Sequence, residues 1–293
     1  MRRLLRWTGY ALAGLVGLVL IIMVAVYAIS ERIIRRTYDV PGRALVLPAD
    51  SASIAEGRRL ATIRGCYGGC HGRTLEGALV FDEPGIARLV APNLTTAIRR
   101  YDDAQLERVI RRGVKQDGRS VFGMPSTMFA TLSDDDLACI IAFLRSQPEV
   151  PGTEPQFVAR PFGRLGLVLG QFRPGAVEVA EGVPAAAPPA TGGERDRGRY
   201  LAQTICTECH GADLHGDPSG SPPDLVIAAA YSDTAFHRLM REGVPLGGRE
   251  LGLMKEVALS RFRHLTDAEI DALYSYLHAL ADTPPEGSPV PPT

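Results

Sequence analysis

From Trp7 to Ser30 the chain carries no charged residue, and the stretch 10–29 is almost wholly apolar. About twenty such residues, at a rise of ~1.5 Å each, cover a hydrocarbon layer of ~30 Å. The pattern predicts a membrane-spanning helix within an N-terminal anchor, residues 1–36. Beyond it the apolar positions become periodic. In LSDDDLACIIAFLRSQP (132–148), Leu137, Ile140, Ile141 and Leu144 recur at helical spacing, and in LTDAEIDALYSYLHALAD (265–282) so do Ile270, Leu273, Tyr276 and Leu277. Both segments open on a capping pattern, Ser133 with Asp136 and Thr266 with Glu269. Segments 103–112 and 233–242 have the same helical character. No stretch alternates convincingly with the period of a strand, so the expected fold class is all-α.

The helical segments repeat. GRRLATIRGCYGGCHG (57–72) matches GRYLAQTICTECHG (198–211), and APNLTTAIRRYDDAQLERVIRRGV (91–114) matches PPDLVIAAAYSDTAFHRLMREGV (222–244). The two closing segments above complete the series in the same order, which implies a duplicated domain of about 100 residues. The units are placed at 50–150 and 194–284. Between them, 151–193 ends in EGVPAAAPPATGG and reads as a Pro/Gly/Ala-rich linker. Its front half, FVARPFGRLGLVLGQF, is too apolar for a free tether and is expected to pack along one of the domains. Residues 285–293 form a Pro-rich tail.

Charge adds little. The formal net charge is −1, and arginines alternate with acids without forming a basic block, so no nucleic-acid partner is indicated. Arginines flank the apolar run on both sides and do not fix its orientation. A cleaved signal peptide is the rival to an anchor, because Val26-Tyr27-Ala28 loosely resembles a cleavage site; the length of the run favours retention.

The cysteines carry the chemistry. Cys206-x-x-Cys209-His210 fits the pattern of covalent c-type haem attachment, since i, i+3 and i+4 share one helix face. Two thiols can then add to the haem vinyl groups while the adjacent imidazole reaches the iron. Cys66-x-x-x-Cys70-His71 carries one residue more, which on a rigid helix displaces Cys66 by about 100° and ~1.5 Å. Gly68 and Gly69 offer the remedy, because glycine adopts the φ > 0 geometry of a bulge. A zinc site or local disulfides are the rival readings, and neither accounts for the two histidines. Cys139 lies in an apolar helical pattern and reads as a small buried side chain.

Each haem iron then wants a second axial ligand. Met254, in GGRELGLMKEVALSRF, is expected in a Gly-rich loop ahead of the closing helix. Met124 and Met128 compete in the first unit, and Pro125 favours Met124 by biasing it towards an extended conformation. Met240 is expected in the core.

With these motifs, the Pro92-Asn93-Leu94-Thr95 segment, Met124-Pro125 and the closing helices, the chain resembles the class I cytochrome c family. It is especially similar to membrane-anchored dihaem cytochromes and the cytochrome subunits of bacterial periplasmic dehydrogenases. The resemblance covers roughly 52–148 and 190–283. It implies two covalently bound haem c groups with His/Met ligation, electron transfer without substrate chemistry, a cytoplasmic N-terminus and both haem domains in the periplasm. The expected partners are a dehydrogenase or quinol-oxidising complex on one side and an oxidase or soluble cytochrome on the other. No nucleophile–base set or phosphate loop points to an enzyme. A dihaem peroxidase is the alternative and would need one iron to open.

Overall fold

The computed structural model describes residues 2–182, 193–248 and 250–281. Helix α1 (Arg2–Arg35) holds the apolar run, and its most apolar 18-residue window has none of its residues buried against the rest of the chain. It is long and apolar enough to cross a membrane. The first domain follows with α2 (Ser51–Ile63), β1 (Ala78–Glu83), β2 (Ala87–Ala91), α3 (Leu94–Ala97), α4 (Asp103–Arg112), α5 (Ser126–Phe129) and α6 (Asp134–Ser146). Then come β3 (Gln156–Ala159), α7 (Pro161–Val168) and α8 (Gly175–Gly182). The second domain contains α9 (Glu194–Ile205), α10 (Thr207–His210), α11 (Asp233–Glu242), α12 (Leu253–Ser260) and α13 (Asp267–Leu280).

Each domain is organised by one helix crossing, α2 on α6 and α9 on α13. The closing helices start where their caps dictate: Ser133 Oγ accepts from the Asp136 N–H, while Thr266 and Glu269 form a reciprocal capping box. Leu137, Ile140, Ile141 and Leu144 are buried on one side of α6, as Ile270, Leu273 and Leu277 are on α13. Glycine makes both crossings possible. A Cβ added at Gly57 would lie 1.9 Å from the Cys139 carbonyl oxygen, and one at Gly198 would lie 1.9 Å from that of Ala272. Gly57 and Gly198 occupy equivalent places in the repeat, so the duplication preserved the helix crossing itself.

The molecule is mostly helical, but the expectation of no strands fails. The strands form a three-stranded antiparallel sheet in the order β1-β2-β3, with Leu79 opposite Val90 and Leu89 opposite Phe157. They escape the alternation test because β1 is exposed on nearly every residue and β2 is largely buried. Neither shows one wet and one dry face. The third strand pairs with a segment some 70 residues away, which local pattern does not encode.

The front half of the segment read as a linker, 151–193, packs as its apolar sequence leads one to expect. Residues 156–182 lie against the first domain and the anchor helix: β3 extends the sheet, α7 packs on α1, and α8 packs on α4 and α5. The last turn of α1 is drawn in too, with Ile33 and Ile34 packed against the cluster of Phe122, Ala159 and Leu167. Residues 183–192 and the tail 285–293 lie outside the described residues.

The two domains hold each other directly. Glu269 of the second domain is 2% exposed and receives Arg59 of the first at 2.6 Å and Arg197 at 2.9 Å. The Tyr200 hydroxyl donates to Asp136 at 2.7 Å and accepts from the Ser133 N–H at 3.1 Å. Arg64 also pairs with Asp136, at 3.0 Å. The cores interdigitate: Tyr200 is buried in the cluster of the first domain, and Ile63 in that of the second.

Candidate functional site

The second cysteine motif follows the helical geometry its spacing predicts. The Cys206 carbonyl accepts from the N–H of Cys209 at 3.2 Å and of His210 at 3.0 Å, one turn that groups Cys206, Cys209 and His210. The first motif widens this turn. Cys70 N–H donates to the Gly65 carbonyl, five residues back, at 2.9 Å. Gly68 supplies the reversal with φ +73°, so the extra residue is absorbed where only glycine is relaxed. Gly69 has no positive φ; its role is steric, since a Cβ there would lie 2.4 Å from the Gly65 carbonyl oxygen. Gly65 itself, at φ +74°, completes the device, although its place ahead of the first cysteine gives no signal in sequence.

Both histidines are held in one way. His71 Nδ1 lies 3.0 Å from the Pro92 carbonyl oxygen and His210 Nδ1 lies 2.8 Å from that of Pro223. A carbonyl can only accept, so Nδ1 carries the proton and Nε2 keeps its lone pair for a metal. Burial pushes the His71 pKa below the ordinary histidine value against the opposing pull of the Pro92 carbonyl, which keeps the ring neutral. Pro92 and Pro223 occupy matching places in the repeated segment. The residue after each caps a short turn, Asn93 accepting from the Thr95 N–H and Asp224 from the Val226 N–H. The repeat therefore carries the imidazole, its carbonyl and the turn that fixes the carbonyl.

Beside His71 opens a largely apolar cavity of about 600 Å³, within the range of cofactor pockets. Cys66 and Cys70 line it together with Phe129, Ile140 and Leu144. Met124 also lines it, whereas Met128 is 2% exposed in the core on α5 and does not. Buried Arg64 faces the same cavity; its Nη2 reaches Asp136, but Nε and Nη1 have no partner within the protein. A thiol pair, an imidazole with a free Nε2, a thioether and an apolar chamber fit a covalently held haem.

The rival readings lose ground on geometry. The five cysteines are free thiols. Among the described residues, the one group of three His, Cys, Asp or Glu side chains close enough to share an ion is Asp233, His237 and Asp271, none of which belongs to either motif. Burial pushes the thiol pKa of Cys66 up to about 11 and of Cys206 up to about 12, which keeps both as neutral thiols.

In the second domain the surroundings of Met254 differ from the expected loop. Met254 sits in the first turn of α12, behind Gly252, and packs half-buried against the second core. Met240 is buried there, on α11. The Gly-rich run before α12 obscures the helix start, because Gly247 and Gly252 break the pattern just ahead of it.

The two cysteine motifs are also neighbours. Arg261 pairs with Glu208 at 3.1 Å, Glu208 lines the chamber of the first domain, and the Arg261 guanidinium lies over Gly65. The residue inside the second Cys-x-x-Cys thus borders the first site.

A family model for cytochrome c matches the chain twice, over residues 54–148 and 196–281. The chain is 26% identical over 264 residues to the fructose dehydrogenase cytochrome subunit of Gluconobacter japonicus, covering 79% of this chain and 53% of that protein. It is 27% identical over 283 residues to the cytochrome c subunit of alcohol dehydrogenase (quinone) of Gluconobacter oxydans (strain 621H), covering 83% and 58%. To one subunit of the nicotinate dehydrogenase of Pseudomonas putida it is 28% identical over 238 residues, covering 72% of this chain and 19% of that protein. The chain therefore spans little more than half of the first two relatives and about a fifth of the third. With its two repeats, its paired thiols and its carbonyl-tied imidazoles, the chain belongs to the cytochrome c family.

Proposed function

We propose that the chain is a membrane-anchored dihaem c-type cytochrome that relays electrons on the periplasmic side. It would take them from a dehydrogenase or quinol-oxidising complex and pass them towards a terminal oxidase or a soluble cytochrome. The observation that carries this reading is the pair of equivalent sites, His71 on Pro92 and His210 on Pro223, set against each other across Glu208 and Arg261. When bound, each haem supplies a one-electron couple whose potential is raised by a thioether ligand. The protein supplies the rest: Cys66, Cys70, Cys206 and Cys209 as attachment points, His71 and His210 as neutral nitrogen ligands, and Met124 and Met254 as thioether ligands. The dehydrogenase partner draws support from the three relatives, whose names tie them to dehydrogenases. Retention of α1 as anchor draws support from its uncharged length.

Haem content by pyridine haemochrome, read with low-temperature EPR, tests this. Two low-spin haems per chain are expected; a high-spin centre that reacts with peroxide would refute the relay. Met124→Ala and Met254→Ala should each remove one of two Met–iron charge-transfer bands, and an unchanged band rejects that methionine as ligand.

The widened turn makes the first pair of thiols unequal. Cys70 keeps the usual adjacency to His71, while Cys66 is reached only through Gly65 and Gly68. Cys66→Ala should leave a haem held by one thioether, seen as a red-shifted α-band. Replacing Gly68 and Gly69 with valine should give the same spectrum, since a β-branched residue resists the positive φ of Gly68 and a Cβ at Gly69 would strike the Gly65 carbonyl. An unshifted band in Cys66→Ala would show that this thioether never formed.

A further inference from the structure

We infer that α7 and the adjoining hairpin tip form a second membrane contact, a shallow amphipathic foot lying in the phospholipid headgroup layer beside α1. The inference rests on the retention of α1 as an anchor.

The argument begins with where α7 sits. Arg164 on α7 donates to Ser30 Oγ and to Glu31 Oε2, both at 3.0 Å, and its guanidinium lies 4.7 Å from the centre of the Tyr27 ring. Tyr27–Glu31 is the place where the uncharged run ends and the charged residues Glu31 and Arg32 begin. At ~1.5 Å per residue, a run from Trp7 to Ser30 spans the ~30 Å hydrocarbon core with a few ångströms to spare. Tyr27 is therefore at the depth of the interface, where tyrosine is favoured. Whatever packs laterally on Tyr27, Ser30 and Glu31 is held at the same depth. The docking is firm: Ile33 and Ile34 are packed into the same aromatic cluster that receives Leu167 from the inner face of α7.

The outer face of α7 has the composition that such a depth demands. Phe162, Leu165 and Leu169 stand at i, i+3 and i+7, one stripe, and are 71%, 40% and 62% exposed. Ile86, 48% exposed, adds to the stripe from the β1–β2 turn, whose Gly85 carbonyl accepts from the Phe162 N–H at 2.8 Å. Such a cluster of large apolar side chains in water calls for an occupant. Its continuity with α1 identifies that occupant as lipid. Arg32 and Arg36 are exposed at the same end of α1, where phosphate headgroups would meet them. A single helix leaves a globular domain free to swivel about its own axis; a second contact beside it fixes which side of the first domain faces the membrane.

Photo-crosslinking of the full chain in its native membrane tests this. p-Benzoylphenylalanine is placed singly for Phe162, Leu165 or Leu169, for Ile21 within α1, and for Leu259, an exposed apolar residue of the second domain. Irradiation should raise the chain mass by one phospholipid at 162, 165, 169 and 21, and not at 259. A lipid adduct at 21 but none at the three α7 positions overturns the foot while leaving the anchor standing. Adducts to a second polypeptide at those positions overturn it in favour of a protein interface. Lipid capture at 259 as strong as at 162 and 169 also overturns it. Loss of the adduct at position 21 overturns the anchor and the foot with it.

Discussion

Glu269→Ala lowers the stability of the folded chain by about 3–5 kcal/mol, the range found when one partner of a buried ion pair is removed. The carboxylate is 2% exposed and receives Arg59 from the other domain, Arg197 from its own, and the backbone N–H of Thr266. Taking it away leaves Arg59 with Glu56 of its own helix and the His264 carbonyl, in an interface built for two acids. Burial opposes the charge on Glu269, but the hydrogen bonds from Arg59 and Thr266, with the charges of Arg59 and Arg197, outweigh it and hold the pKa at about 2. Because the folded value lies below the ordinary 4.5, the group's contribution is fully present above about pH 4.5. It is lost as acid carries the solution down towards pH 2. The interval corresponds to roughly 3 kcal/mol, in line with the cost of truncation. Denaturant titration in detergent, followed by far-UV circular dichroism, should show wild type and Glu269→Ala converging across that window. A gap as wide at about pH 2.5 as at pH 7 would rule out the carboxylate as its source. Glu242→Ala is the control: its pair with Arg238 is exposed on both sides, and its loss should cost less than about 1 kcal/mol.

Gly57→Ala and Gly198→Ala should each collapse the domain they belong to. On helix propensity alone, alanine in place of an interior glycine gains about 1 kcal/mol. Here the sign reverses, because the new methyl would stand 1.9 Å from a backbone oxygen of the facing helix. Backbone cannot rotate aside as a side chain can, so α2 must lift off α6, or α9 off α13, and the loss should exceed about 3 kcal/mol. Gly182→Ala makes the contrast, since a Cβ there meets nothing within 4 Å and should be neutral or mildly stabilising. Thermal unfolding measures all three. If Gly57→Ala melts at or above wild type, the helix crossing described above is wrong.

The helices were legible because their signals are local. Ser133, Thr266 and the apolar positions of α6 and α13 announce themselves within a dozen residues, and the duplication let each half check the other. The cysteine motifs were legible for the same reason, down to the need for glycine between Cys66 and Cys70. What stayed hidden depends on distance or context. The sheet closes through β3, far along the chain from β2. The Pro92 and Pro223 carbonyls show no trace in sequence of the imidazoles they hold, although the matching APN and PPD segments of the repeat were the available signal. Gly65 acts through Arg261, nearly two hundred residues away, and no pattern within either motif shows that Glu208 would border the other site.

The mutual burial of Tyr200 and Ile63, with Arg59 on Glu269 and Tyr200 on Asp136, bears on the segment between Gly182 and Gly193. Closing a longer connection costs little, since chain entropy grows only with the logarithm of its length. Packing, not reach, sets the gap between the Cys66–Cys70 and Cys206–Cys209 motifs. A change in the length of that stretch should therefore leave the separation between the two motifs unchanged.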